Sequence, residues 1–271
     1  QLETNIETLD KKVESRTVEL AKSLEEQKLL LTQIEQELSI ARQIQQNLLP
    51  LKIPKVSNTK FHTFYQPMSE VGGDFYDFVQ LNDEKRIGLF ISDVSGHGVP
   101  AAFITSMLKM LIESSINEKK NPATFLNYLN KRLIKQTYGH FLTAFYCIYD
   151  SENRKLSYSR AAHNLPILIR EGQLIRLYTP GKFLAILDHI DFVEKEIQLE
   201  KGDRIIFYTD GLTEAINENY AEFEDIFLEI LKNEYEKPIE ALIESIHEKL
   251  LGFIGNQSLI DDVCIVGMQI E

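Results

Sequence analysis

At 271 residues, with 44% hydrophobic and 26% charged residues, the chain has room for one large domain or two small ones of ordinary globular make-up. Its formal net charge of -12 argues against nucleic-acid binding, because a phosphate backbone demands clustered Lys and Arg. Cys147 and Cys264 lie in apolar stretches without metal-ligand spacing, which excludes a disulfide scaffold and predicts buried, reduced thiols in a cytoplasmic domain.

Residues 1–48 contain no Gly or Pro and carry a heptad pattern. Leu2, Ile6, Leu9, Val13 and Leu20 fit alternating steps of four and three, with Arg16 as the polar exception. Leu24, Leu31 and Leu38 continue the seam, alternating with Gln27, Ile34, Ala41 and Leu48. The register slips between Leu20 and Leu24, a stutter that locally unwinds a supercoil. The segment reads as a long amphipathic helix and, preferentially, as one strand of a parallel homodimeric coiled coil; a helix folded back on its own domain is the alternative. Pro50 and Pro54 end it and mark the start of a second domain, 49–271.

Beyond the prolines, strand-like runs cover 61–65, 74–81, 86–93, 142–149, 155–162, 166–170, 190–199, 203–208 and 263–270. Helical runs cover 100–116, 122–137, 220–231 and 239–251. Strands clustered between helix pairs, not alternating with them one for one, predict an α+β fold. No apolar run reaches the roughly 18 residues of a membrane span, and the residues given read without the pattern expected of a signal peptide. The chain opens at Gln1 and not Met, which leaves room for an upstream sensor, tethered to a membrane or not.

Four short acidic stretches punctuate this second region: Val71-Gly72-Gly73-Asp74, Ile91-Ser92-Asp93-Val94-Ser95-Gly96-His97-Gly98, Tyr208-Thr209-Asp210-Gly211 and Asp261-Asp262. Three of the carboxylates stand at or beside the end of an apolar run, where a rigid strand edge would hold them. Hard divalent ions such as Mg²⁺ and Mn²⁺ take such oxygen ligands. Two ions about 3.5–4 Å apart suit in-line phosphoryl chemistry without a covalent intermediate. A single Asp-Gly is more often a turn, but four in this order are not a chance pattern. Gly96-x-Gly98-x-x-Ala101 has the outline of a dinucleotide fingerprint, yet Asp93 ahead of it and the missing βαβ alternation speak against that reading. His163-Asn164 lies between two strand-like runs and reads as a turn held by side-chain hydrogen bonds before it reads as catalytic.

Taken together, the motifs resemble the PPM-type metal-dependent Ser/Thr protein phosphatases of the SpoIIE/RsbU branch, from about residue 40 to 271. The matching text is Ala41-Arg42-Gln43-Ile44-Gln45-Gln46-Asn47-Leu48-Leu49-Pro50, then Val71-Gly72-Gly73-Asp74-Phe75-Tyr76-Asp77, then Ser92-Asp93-Val94-Ser95-Gly96-His97-Gly98-Val99-Pro100-Ala101-Ala102. Ala162-His163-Asn164, Gly202-Asp203-Arg204, Tyr208-Thr209-Asp210-Gly211-Leu212-Thr213-Glu214-Ala215 and Asp261-Asp262 complete it.

The resemblance implies an αββα sandwich, two antiparallel sheets flanked by helices, with a two-ion Mn²⁺ or Mg²⁺ centre. It implies Asp74, Asp93, the Val94 carbonyl, Asp210 and Asp261 as metal ligands, the four Asp residues carrying the catalysis, with Asp261 preferred over Asp262. It further implies hydrolysis of phosphoserine or phosphothreonine on a STAS-type anti-sigma-factor antagonist. Control would come from an upstream sensor through the N-terminal helix, with Ala41–Leu49 transmitting the signal. A catalytically inactive partner-binding module on the same fold is the alternative. Departures from the family pattern are Cys264 where Thr or Ser is usual, Ala162 for a common Gly, and Gly181-Lys182-Phe183-Leu184-Ala185-Ile186 for a Gly-x-Pro-Leu-Gly-like loop. Ser95 stands where eukaryotic relatives place a candidate general-acid His; His97, two places on, reads first as a turn residue.

Overall fold

The computed structural model describes residues 2–81 and 83–271, without the side chains of 3, 4, 6, 7, 8 and 10, so the Ile6 position of the heptad seam lies outside the described residues. The chain divides into a first compact unit ending at Ile44 and a second running Gln45–Glu271.

Helix α1 (Leu2–Gln46), unbroken as expected from a stretch without Gly or Pro, supplies the first unit up to Ile44, and its last two residues, Gln45 and Gln46, belong to the second. Its seam residues Leu2, Leu9, Val13, Leu20, Leu24, Leu31 and Ile34 are all exposed. Surface pairs such as Arg16–Glu19 at 2.7 Å decorate the helix, and each contributes at most a few tenths of a kcal/mol, roughly.

The second unit is built on two five-stranded sheets in which every pairing is antiparallel. One sheet has the order β2 (Phe75–Gln80), β3 (Arg86–Val94), β4 (Leu142–Asp150), β5 (Lys155–Ala161) and β8 (Lys195–Gln198). The other has the order β1 (Thr59–Gln66), β10 (Val263–Ile270), β9 (Arg204–Tyr208), β6 (Ile167–Arg170) and β7 (Gln173–Arg176). Side chains alternate across each strand, and in the central strands both faces are covered. In β4, Phe145, Cys147 and Tyr149 enter the core between the sheets, where Phe145 meets Phe207 of β9 at 5.8 Å between ring centroids. Ala144, Tyr146 and Ile148 of the same strand point the other way, into a layer formed with α2 (Val99–Ser114) and α3 (Pro122–Leu133). On the far side, Ile206 and Tyr208 of β9 and Ile265 of β10 pack under α5 (Glu224–Asn233) and α6 (Ile239–Ile254). The order of layers is helices, sheet, sheet, helices: the expected αββα sandwich.

Several boundaries differ from the sequence expectation. The second unit begins at Gln45, ahead of the prolines expected to open it at 49, because the Gln45 side chain is buried in that unit. Of the expected strand 190–199, the part that pairs is Lys195–Gln198. Strand β7 and the one-turn helix α4 (Asp210–Thr213) were not anticipated. Helix α3 stops at Leu133, with Lys135 at φ 64° just beyond it, and α5 starts at Glu224, with Tyr220 at φ 58° ahead of it. Left-handed residues of this kind cannot continue a right-handed helix. Both cysteines are buried and free, as expected.

Candidate metal centre

Antiparallel pairing sets the positions of the acids. Asp74 immediately precedes β2 and Asp93 lies at the end of β3; Phe75 faces Ser92 across that ladder, so the two carboxylates share one end of the first sheet. Asp210 follows β9 and Asp261-Asp262 precede β10; Tyr208 faces Ile265, so these acids share one end of the second sheet. Hydrogen bonds then tie the two ends together. The Thr209 hydroxyl donates to Asp74 Oδ2 at 2.6 Å and accepts the Cys264 N–H at 3.0 Å. Asp262 accepts from the backbone N–H groups of Met68 at 2.7 Å and Gly73 at 2.5 Å.

Those contacts give Asp262 and Asp261, of which the resemblance preferred Asp261 as a ligand, different surroundings. Asp262 is 3% exposed and its two oxygens are occupied by the 68–73 loop, whereas Asp261 is open to solvent. Asp262 therefore acts as a clamp on the loop that carries Asp74. Close approach explains the glycines around it. A Cβ on Gly72 would overlap the Asp262 carboxylate, and one on Gly211 would overlap the Asp262 carbonyl. The Val94 carbonyl lies 2.8 Å from where a Cβ of Gly73 would stand, so the loops carrying Asp74 and Asp93 meet at backbone level.

The electrostatics follow from crowding. Asp74 is buried, and burial together with the charges of Asp93 and Asp262 holds its carboxyl well above the usual range, against the opposing effect of the Thr209 hydrogen bond. Asp93 is pushed up to about 7 by burial and by Asp210, Asp261 and Asp262. Burial also raises Asp210. Asp261, exposed at its surface yet crowded by protein on its inner side, rises through that partial burial and its acidic neighbours, with the Asp262 N–H and His97 opposing. Glu214, which the sequence reading quoted without a role, feels Asp210 and Asp261 as well and is raised, chiefly by burial. Among the described residues, no group of three or more His, Cys, Asp or Glu side chains is already arranged to hold a metal ion. The donor chemistry nevertheless fits a hard divalent cation: an all-oxygen set, partly buried, with charges that repel one another until a cation offsets them.

Three further residues support this end of the fold. Gln45, the last but one residue of α1, donates from Nε2 to the Gly72 carbonyl at 2.7 Å and to Thr105 Oγ1 at 3.1 Å. Its Oε1 accepts the Gly72 N–H at 3.0 Å. His163 follows Ala162, a left-handed residue at φ 54°, and is buried with Nδ1 2.7 Å from Thr143 Oγ1. Burial and the nearby Arg160 guanidinium push its imidazole down to about 3, so it is a neutral structural side chain at neutral pH. The expected side-chain hydrogen bond is present, while 163–164 is extended connection and forms no hydrogen-bonded turn. His97 is exposed, while the Ser95 hydroxyl is engaged in accepting the Phe141 N–H at 2.9 Å. Sequence reasoning missed the roles of Gln45, Thr209 and Asp262; each sits in a quoted motif, but side-chain hydrogen bonds spanning 27 to 194 residues leave no local signal.

Comparison with known proteins agrees with this architecture. Residues 83–271 match the family model described as Stage II sporulation protein E (SpoIIE). The chain is 30% identical over 239 residues to the phosphoserine phosphatase RsbU of Bacillus subtilis, covering 86% of this chain and 70% of that protein. It is 27% identical to the phosphoserine phosphatase RsbP of the same organism, over 87% of this chain and 58% of that one. Among solved structures, the SiaA-PP2C domain of Pseudomonas aeruginosa superposes with a TM-score of 0.78 at 22% identity, covering 89% of this chain and 98% of that domain. RsbX, solved in complex with magnesium, superposes with a TM-score of 0.60 at 17% identity, over 81% of this chain and 99% of that one. No helix among the described residues is long and apolar enough to cross a membrane. With the family model matched over most of its length and RsbU aligned across it, the chain belongs to the SpoIIE family of PP2C-type, metal-dependent serine/threonine phosphatases.

Proposed function

We propose that this chain removes phosphate from phosphoserine or phosphothreonine on a STAS-type anti-sigma-factor antagonist, using two Mn²⁺ or Mg²⁺ ions, in the cytoplasm. The observation that carries the reading is the burial of Asp74, Asp93, Asp210 and Asp261 at one end of the sandwich, which raises each carboxyl and to which neighbouring acids add at Asp74, Asp93 and Asp261, a cost that bound cations would offset. Those four carboxylates and the Val94 carbonyl are the proposed ligands. When bound, such a pair of ions supplies Lewis-acid polarisation of the phosphoryl group and an activated water. The chain's own residues do the positioning. Thr209 fixes one oxygen of Asp74, Asp262 holds the 68–73 loop, and Gly72 and Gly73 let backbone and carboxylate meet. The substrate class rests on similarity to proteins named phosphoserine phosphatases, and on a solved structure that joins RsbU and RsbW domains in one Mycobacterium tuberculosis chain.

Control through the N-terminal helix, and a homodimer through its seam, belong to the same reading. Gln45 is part of α1 and grips both backbone polar groups of Gly72, two residues before Asp74. A change in the pitch or rotation of that helix would therefore be felt at the Asp74 loop. The catalytic half is tested by phosphate release from a serine-phosphorylated STAS protein. Turnover should require Mn²⁺ or Mg²⁺, and equal rates in metal and in chelator would reject it.

A further inference from the structure

Strand β3 ends one residue beyond Asp93, and along both of its edges there a side chain takes the place of a backbone partner. Continuing the β2–β3 register sets Val94 opposite Gly73. In an antiparallel pair of the hydrogen-bonded kind, the two residues exchange both of their N–H to carbonyl bonds. Here one is made, from the Val94 N–H to the Gly73 carbonyl at 3.3 Å. The other is not, because the Gly73 N–H donates to Asp262 Oδ2 at 2.5 Å. The Val94 carbonyl has lost its ladder donor while Val94 stays buried, and its oxygen lies 2.8 Å from where a Cβ of Gly73 would stand.

On the other edge the β3–β4 register, which faces Val94 with Leu142, continues to Ser95 and Phe141. The Ser95 N–H donates to the Phe141 carbonyl at 2.9 Å. The Phe141 N–H turns aside to Ser95 Oγ, also at 2.9 Å, and the Ser95 carbonyl lies 2.6 Å from His140 Nδ1 instead. A carbonyl only accepts, so Nδ1 carries the proton at this contact whether the ring is neutral or cationic. A tight turn brings the ring there. Tyr138 and Gly139 stand at φ 50° and 90°, the His140 N–H donates to the Thr137 carbonyl at 3.0 Å, and Thr137 Oγ1 donates to the His140 carbonyl at 2.6 Å. The ring then covers Gly96, with Cε1 3.4 Å from where a Cβ of that glycine would be.

The Val94 carbonyl and the Ser95 N–H belong to one planar peptide unit and point in opposite directions. Whatever fixes that N–H therefore aims that oxygen. We infer that His140, together with the Ser95 hydroxyl, is a positioning residue that aims the Val94 carbonyl at the proposed metal centre. Ser95 is held against the 140–141 segment through its N–H, its hydroxyl and its carbonyl, and the Val94 oxygen faces the Asp74 loop in consequence. Without the ring, the donor left for the Ser95 carbonyl is the Phe141 N–H. Regular ladder pairing would then return, and the Val94–Ser95 plane would turn with it. This deepens the proposed phosphatase reading and rests on it for the role of Val94 as a ligand.

The test measures Mn²⁺ affinity by calorimetry for the whole chain and for its His140→Ala, His140→Asn, His140→Gln and Ser95→Ala variants. An Asn amide offers its N–H close to the place of Nδ1, and a Gln amide close to that of Nε2. His140→Asn should therefore keep most of the parent affinity, while His140→Ala, His140→Gln and Ser95→Ala lose roughly tenfold or more. Nitrogen NMR of the histidine-labelled parent, at alkaline pH in chelator, should show the His140 proton on Nδ1, a reading that needs neither metal nor a variant that folds. Parent-like affinity in both alanine variants would overturn the inference, as would an Asn variant no better than Gln, or a proton found on Nε2. A parent that takes up no Mn²⁺ would remove the ligand reading and this inference with it, whereas a parent that binds and variants that match it would remove only the inference.

Discussion

The N-terminal helix and the acidic end of the sandwich are each incomplete in an opposite chemical sense. Along α1, Leu2, Leu9, Val13, Leu20, Leu24, Leu31 and Ile34 are left in water, where apolar surface is unfavourable by about 25 cal/mol per Å². At the sandwich end, Asp74 and Asp93 are carboxylates withdrawn from water and set against their own kind. The first arrangement calls for an apolar partner and the second for a cation. Under the proposed function each cost would be offset by binding, of a second helix along the seam and of cations at the acids.

The sharpest way to break the comparison is at the acids. Asp210→Asn should lower phosphatase turnover by more than the ~10–100-fold that follows loss of a residue merely supporting a metal ligand. Unchanged turnover, measured by phosphate release in saturating Mn²⁺, would remove Asp210 from the ligand set. A milder cut is Thr209→Val, which takes the donor from Asp74 Oδ2 and the acceptor from the Cys264 N–H. Apparent Mn²⁺ affinity should fall about 10–100-fold, while Thr209→Ser retains most of it. Calorimetric titration reads both, and equal behaviour of Val and Ser would deny the hydroxyl its role.

His163 sharpens the contrast from the other side, as a buried titratable group outside the proposed ligand set. Its folded-state value of about 3 lies below the 6.5 of an unfolded His. Above pH 6.5 both states are neutral and the group has no effect. As pH falls from 6.5 toward 3 the unfolded chain takes up a proton that the folded one refuses, and stability declines by up to about 4–5 kcal/mol. Denaturant titrations of the parent and His163→Gln across that window should show a shallower pH dependence in the variant, with or without chelator. Parallel curves would contradict the assignment. The smallest energetic change is expected from cutting the helix. The whole chain should be a dimer by light scattering and a version starting at Gln45, which keeps that buried side chain, a monomer, each folded; a monomer in both cases would leave the exposed seam without its proposed partner.

Much of the fold was legible because the chain marks its own punctuation. A stretch without Gly or Pro gave one helix, and apolar runs ending in Asp gave β3, β9 and the end of the sheet where each acid sits. Strand β7 escaped because its burial is slight, and 190–194 was mistaken for strand because apolar residues there cover a layer edge without pairing. In β4 both faces are buried, so the two-residue alternation that would have assigned each side chain to a layer was invisible before the helices were placed.

The amino-acid sequence by itself determined the order of elements, the acidic inventory of the site and the unpartnered seam of the helix, because these depend on residue type and short spacing. The tertiary structure alone decided that Asp262 clamps a loop while Asp261 faces solvent, and that Thr209 and Gln45 reach the Asp74 loop. Such roles come from hydrogen bonds and close approaches between segments up to 194 residues apart, and a linear sequence carries no record of which distant groups will meet.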